Sequence, residues 1–293
     1  MLNYILSLFK KACINVEFRR VNYNDIDIYY KLFPKKSVDE RRFYNIGAGD
    51  FSHPAWTNVD KLSDWYKQND ANTKRGINFD LFDIKLFPMN DNSAEIIYSS
   101  HTIEHITDQA AMNMLQESFR ILKPGGILRL TAPNIDLHYA AYKNNDRSFF
   151  SWIDKIDNPE YLARFKFRVP PKNLSIEQLF LMQFATSVST IHSDGAPFRF
   201  DDRDVNQIFS TMKYEDALNY CTSHCPLEIQ KKYPGNHMNW WNYQKVIDAL
   251  HKAGFGSVRI SGRGQSICPV LRNECYFDST MPLISFYVET IKQ

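Results

Sequence analysis

The sequence predicts an α/β fold: a doubly wound, mostly parallel seven-stranded sheet carrying a helical insertion. Three observations predict it. Short apolar runs at Arg42–Ile46, Thr57–Val59, Gly76–Phe79, Ala94–Tyr98 and Ile127–Thr131 alternate with turns or helical patterns, the rhythm that yields parallel strands. The chemically distinctive residues fall at the C-terminal ends of those runs, where open α/β sheets bind ligands. The pattern stops between Leu137 and Pro234, then returns as a helix and two strands at the chain end.

The first strand runs into Gly47-Ala48-Gly49-Asp50, and the second, Thr57-Asn58-Val59-Asp60, closes on a carboxylate. Two glycines let the backbone approach a ligand closely, and an acid at the next strand tip can hold a ribose diol. Together they outline a nucleoside-cofactor site. Ser52-His53-Pro54-Ala55 cannot hold a long helix, so the first crossover is short and irregular. The third strand ends at Asp80-Leu81, and the fourth leads into Ser99-Ser100-His101-Thr102. Between Thr107 and Leu122 one helical face collects Ala111, Met114, Leu115, Ser118, Phe119 and Leu122. Lys123-Pro124-Gly125-Gly126 stops that helix, and Arg120 and Lys123 are assigned to its dipole. The fifth strand ends at Pro133-Asn134.

Four segments follow from this reading: 1–41, an N-terminal helix and lead-in strand; 42–136, the α/β core; 137–236, a helical cap; and 237–293, which completes the core. In the cap, Ser175-Ile176-Glu177-Gln178 fits a capping box ahead of a helix through about Ser187. Further helices are expected over Asp204–Met212 and Tyr214–Cys221. Asn242 is the expected N-cap of a helix from Tyr243 to Ala253 that Gly254 ends. Strands at Gly256–Ser261 and Ser285–Ile291 finish the sheet. At the other end, Leu2, Ile5, Leu6, Phe9 and Cys13 fall on one helical face. That helix packs on the domain or docks on a membrane surface or partner protein. Met1–Phe9 is too short for a membrane span and lacks the flanks of a signal peptide.

Composition narrows the function. With 35 basic and 33 acidic residues among 293, the net charge is +2, so no nucleic-acid partner is expected. Hydrophobic residues at 44% and aromatics at 14% supply a sizeable core. Five scattered cysteines give no disulfide framework and fit a reducing, cytoplasmic setting. Cys221 and Cys225 share a helix face near His224 and His237. That spacing suits a metal, but equally two core-facing thiols; no metal site is assigned.

The motifs Asn45-Ile46-Gly47-Ala48-Gly49, Trp56-Thr57-Asn58-Val59-Asp60 and Ser99-Ser100-His101-Thr102-Ile103-Glu104-His105, with Glu117 to Gly126, add a resemblance. Over residues 42–136, and loosely over 237–291, the chain resembles the class I S-adenosylmethionine-dependent methyltransferases, which have a Rossmann-like sheet. The likeness is to a small-molecule branch often associated with cell-surface sugar biosynthesis. It implies that Asn45, Gly47, Ala48, Gly49 and Ser100 line S-adenosylmethionine and that Asp60 accepts from the ribose hydroxyls. Asp80 would take the adenine amino group with the Leu81 amide on the ring, although Asp83 can be aligned there instead. His101 would lie beside the cofactor. The chain departs from the family pattern at Asn45, usually an acid, and at Phe51, usually a glycine.

Methyl transfer is an in-line displacement, so alignment and water exclusion dominate. A base is needed only for a hydroxyl or protonated amine; the candidates are His101, Glu104 and His105. His192, Asp194, His237 and Trp240 are the candidate contacts to a small-molecule or saccharide acceptor. The competing reading is a methyltransferase-like scaffold without catalysis.

Overall fold

The computed structural model describes residues 25–62, 76–153, 159–164, 167–192 and 196–293. The N-terminal helix, including Cys13, lies outside these residues, as does Asp194 of the acceptor set.

Seven strands form one sheet: β1 (Phe43–Ile46), β2 (Trp56–Asp60), β3 (Ile77–Asn78), β4 (Ala94–Ser100), β5 (Leu122–Pro133), β6 (Val258–Ser261) and β7 (Ser285–Ile291). Their order is β3-β2-β1-β4-β5-β7-β6. Pairs among β1 to β5 are parallel, and β7 runs antiparallel to both β5 and β6. Strand order reverses between β1 and β4, so their C-terminal ends splay into a crevice. Gly47 and His101 follow directly on those two ends.

The expected helix stop at Lys123–Gly126 is not a free loop. β5 starts at Leu122, which pairs with Ala94 across a register shift, and Gly125 and Gly126 exchange backbone bonds with Lys292. Gly125 has φ +81°, which lets the chain bend there without leaving the sheet. The lead-in strand is also corrected. Its described part is helix α1 (Ile26–Leu32), followed by α2 (Lys35–Asp39). Ile26, Tyr29 and Phe33 recur at helical spacing and face one buried cluster; their aromatic and β-branched character had suggested a strand. The Trp56 indole N–H donates to the buried Tyr29 hydroxyl at 2.7 Å.

Helix α3 (Asp108–Ile121) opens on Thr107, whose hydroxyl accepts from the Ala110 amide. Arg120 and Lys123 do more than complement its dipole. The Arg120 guanidinium reaches the Glu117 carboxylate and the Phe87 and Met89 carbonyls, clamping the loop before β4. Lys123 pairs with Glu95.

The insertion holds α4 (Ile135–Lys143), α5 (Pro159–Arg164), α6 (Ile176–Leu181), α7 (Asp202–Thr211), α8 (Tyr214–Ser223) and α9 (Leu227–Lys232). Helices α4, α6, α7 and α8 gather around their own hydrophobic cluster, with Phe150, Phe180, Phe184 and Leu218 fully buried. Helix α6 is shorter than expected. Thr186 bonds through its amide to the His237 carbonyl, which draws the chain out of the helix. Ser175 caps α6, but Gln178 turns to Phe200 and Asp202 instead of completing a capping box; Asp201 and Asp204 build one on α7. Helix α10 (Tyr243–Lys252), capped by Asn242, ends near Gly254 at φ +109°.

Candidate active site

A cavity of about 760 Å³ opens at the C-terminal ends of β1, β2 and β4. Gly47 donates to the Val59 carbonyl at φ +68°, and a Cβ there would lie 2.2 Å from the Thr102 hydroxyl. Gly49, at φ +52°, has nothing within 4 Å of where a Cβ would stand. Its amide donates to the Asp60 carboxylate at 2.7 Å, and the Lys61 amide donates to the other Asp60 oxygen, also at 2.7 Å. Burial raises the Asp60 carboxyl above its ordinary range, opposed by those two amides.

Both pattern departures face this cavity. Asn45 Oδ1 is buried with no hydrogen-bond partner. Phe51 also packs on Trp56 and Phe277, so it closes the turn from the apolar side. Ala48, Asp80, Leu81 and Ser100 line the cavity, and Asp83 does not. Asp80 accepts from the Phe82 amide and pairs with Lys61 at 2.7 Å, while Asp83 pairs with Lys85 at the surface. The Ser100 hydroxyl is buried without a partner. These orphaned polar atoms beside an open glycine turn fit an adenosine-type ligand.

His101 forms part of this cavity and of a second one, about 130 Å³, lined also by Trp152, Gln183, His237 and Ile284. Its φ is +52°, a conformation that costs a non-glycine residue free energy and clusters at functional sites. Its Nε2 lies 2.7 Å from the Ser285 hydroxyl, and its Nδ1 lies 3.2 Å from Glu104. Glu104 is 1% exposed and lines neither cavity. Despite desolvation, which opposes it, the surrounding histidines, His101 first, hold the carboxyl down to about 2. A carboxylate so placed orients imidazoles and does not touch an acceptor. His105 lines the larger cavity, its Nδ1 2.8 Å from the Asn236 carbonyl. Burial lowers His237 to about 4, and its Nδ1 lies 2.7 Å from the Gln183 carbonyl.

Two expected acceptor contacts are placed elsewhere. Trp240 is 4% exposed, donates to Asn219 and packs in the insertion's core. His192 is fully buried, bridges to Phe167 and stands against Tyr233, away from both cavities. Trp152, Gln183, Tyr276 and Lys61 were not singled out in the sequence. Lys61, adjacent to Asp60, was the one within reach of motif reasoning; the others reach the cavities from distant segments. Cys221 and Cys225 are buried, with burial lifting the thiols to about 12 and 11. Neither belongs to a metal-capable group among the described residues.

Residues 41–130 match the family model described as a methyltransferase domain. Over those residues the chain is similar to methyltransferase domains, a family that uses S-adenosylmethionine. The chain is similar to a S-adenosylmethionine-dependent methyltransferase of Thermotoga maritima, described as a possible histamine N-methyltransferase. That likeness has 14% identity, covers 100% of this chain and 96% of the other, and has a TM-score of 0.38. A second, from Mesorhizobium loti, is 13% identical over 90% of this chain and 96% of its own, with a TM-score of 0.37. PigF with SAH is 10% identical over 91% of this chain and 54% of its own, with a TM-score of 0.38. No curated protein matches.

Proposed function

We propose that this protein is a class I S-adenosylmethionine-dependent methyltransferase that acts on a small polar acceptor, a saccharide or similar hydroxyl-bearing molecule. One observation carries the reading: His101 belongs to both the larger cavity and the smaller one. The larger takes the cofactor, the smaller the acceptor, and His101 stands at their common wall. Trp152 supports a sugar-like acceptor, because its ring lines the smaller cavity and its indole N–H is buried without a partner. A buried donor left unsatisfied costs free energy that a ligand hydroxyl would recover.

In this reading Asp60 accepts from the ribose hydroxyls while the Gly49 and Lys61 amides fix its oxygens. The Gly47–Gly49 backbone and Asn45 hold the amino-acid end, and Asp80 with Leu81 holds the adenine. Bound S-adenosylmethionine supplies a sulfonium methyl for in-line displacement. His101 orients the acceptor and takes its proton, with Glu104 positioning the ring. Residues 137–236 act as the cap; Gln230, Lys231 and Pro234 reach the cofactor cavity from it. Four described cysteines are free, which supports a cytoplasmic setting.

The test is methyl-label transfer from S-adenosylmethionine into fractionated cell extract. Label should enter the glycan or nucleotide-sugar fraction; label in RNA or protein instead overturns the acceptor assignment.

A further inference from the structure

The turn Ile103–His105 is stapled to a segment more than a hundred residues away. The Met238 and Asn239 amides both donate to the Glu104 carbonyl, and the Trp241 indole donates to the Ile103 carbonyl. The staple brings His105 and His237 edge to face, ring centres 4.7 Å apart, beside the buried Glu104 carboxylate. Each imidazole spends its Nδ1 on a backbone carbonyl, that of Asn236 or Gln183. A carbonyl only accepts, so both Nδ1 atoms carry the hydrogen and each neutral ring keeps its lone pair on Nε2. His105 Nε2 lies 3.8 Å from Glu104, and one donor atom from each of the three residues lies within 4.8 Å of the others. His101 Nδ1 stands 3.2 Å from Glu104 Oε1, while Glu104 Oε2 has no hydrogen-bond partner.

The buried Glu104 carboxylate and the two imidazole lone pairs converge beside the cavities, an arrangement that a cation between them would satisfy. From this we propose that Glu104, His105 and His237 bind a divalent cation of the zinc or manganese type. Two histidines and one carboxylate, leaving positions open, form an established ligand set for such ions. Backbone carbonyls on the far nitrogens are the usual device for fixing a ligating histidine. A tetrahedral zinc would draw the donors to about 3.3–3.5 Å apart, a contraction of up to about 1.4 Å from their present spread.

The open positions would face the two cavities, since His105 lines one and His237 the other. The cation's role rests on the acceptor reading above: it would bind the acceptor hydroxyl and ease loss of its proton to His101. The oxygen then bonds the methyl carbon as the carbon–sulfur bond breaks, its electron pair staying on sulfur. No oxidant or reductant is needed.

The test is calorimetric titration of chelator-treated full-length protein with ZnCl2 and MnCl2 at pH 7.5, with metal analysis after gel filtration. One ion per chain is expected, with affinity falling about tenfold or more in Glu104→Gln and His237→Gln, the scale on which groups at a metal site count. Circular dichroism checks that the variants fold, and the wild-type titration stands without them. An absence of binding, or equal binding by the wild type and folded variants, overturns the site. Retained binding with no label in any sugar fraction overturns only the acceptor role.

Discussion

Gly47 and Gly49 look alike in the sequence and stand in different surroundings. Both have left-handed backbones, but only Gly47 lies against a side chain, that of Thr102. Gly47→Ala is therefore expected to lower stability by about 1–3 kcal/mol, from the backbone and the forced shift of Thr102; urea denaturation reads it. Gly49→Leu should keep the fold at a cost of about 1–2 kcal/mol and abolish S-adenosylmethionine binding by calorimetry. Unchanged affinity would remove the turn from the cofactor site. Asp60→Ala should weaken that binding by about 1–3 kcal/mol, the range for hydrogen bonds to charged groups. A smaller loss in the same titration would put the ribose elsewhere. Glycine pairs and strand-end acids are legible in a sequence because their chemistry lies in the residue type. That Thr102 packs on Gly47, or that Ser285 meets His101, depends on contacts between distant positions and leaves no local pattern.

Elements were legible where periodicity and punctuation agreed. Helix α3 shows this: Thr107 begins it, and an apolar face runs through Ala111, Met114 and Leu115. α6 shows the limit, because its last turn is withdrawn by a bond to His237 that no local signal announces. The acceptor candidates meet the same limit. Trp240 and His192 are residue types that suit sugars, yet both pack inward, and Trp152 stands at the cavity instead. The clamp on α3 gives an element-scale prediction. Arg120 holds Glu117, which is 5% exposed, together with the Phe87 and Met89 carbonyls. Arg120→Ala leaves that carboxylate with the Phe87 amide alone and loosens the loop before β4, with an expected loss of about 2–4 kcal/mol. Chemical denaturation measures it; a change below about 0.5 kcal/mol, the ordinary surface level, would mean that the loop is held by its own packing.

At the scale of the whole molecule, the sheet and the insertion meet across histidines kept neutral by burial. His138 in α4 is fully enclosed, its Nδ1 3.1 Å from the Asn134 carbonyl, and desolvation lowers it to about 4. His237, which joins the insertion to the Glu104 turn, is lowered to about 4 in the same way. In the unfolded chain both titrate near the usual histidine value of about 6.5. Between these values the unfolded state binds more protons than the folded state, so stability rises with pH across that window. The contribution is complete above about pH 6.5 and is lost as pH falls toward about 4. Glu104, held down to about 2, acts in a lower window, between its ordinary carboxyl value and that figure. Urea midpoints should therefore drop steeply from pH 7 to pH 4.5. His138→Gln should flatten part of that slope without touching the cavities, since His138 lines neither. A variant with the wild-type slope would show that protons taken up elsewhere, and not at the junction between sheet and insertion, drive acid unfolding.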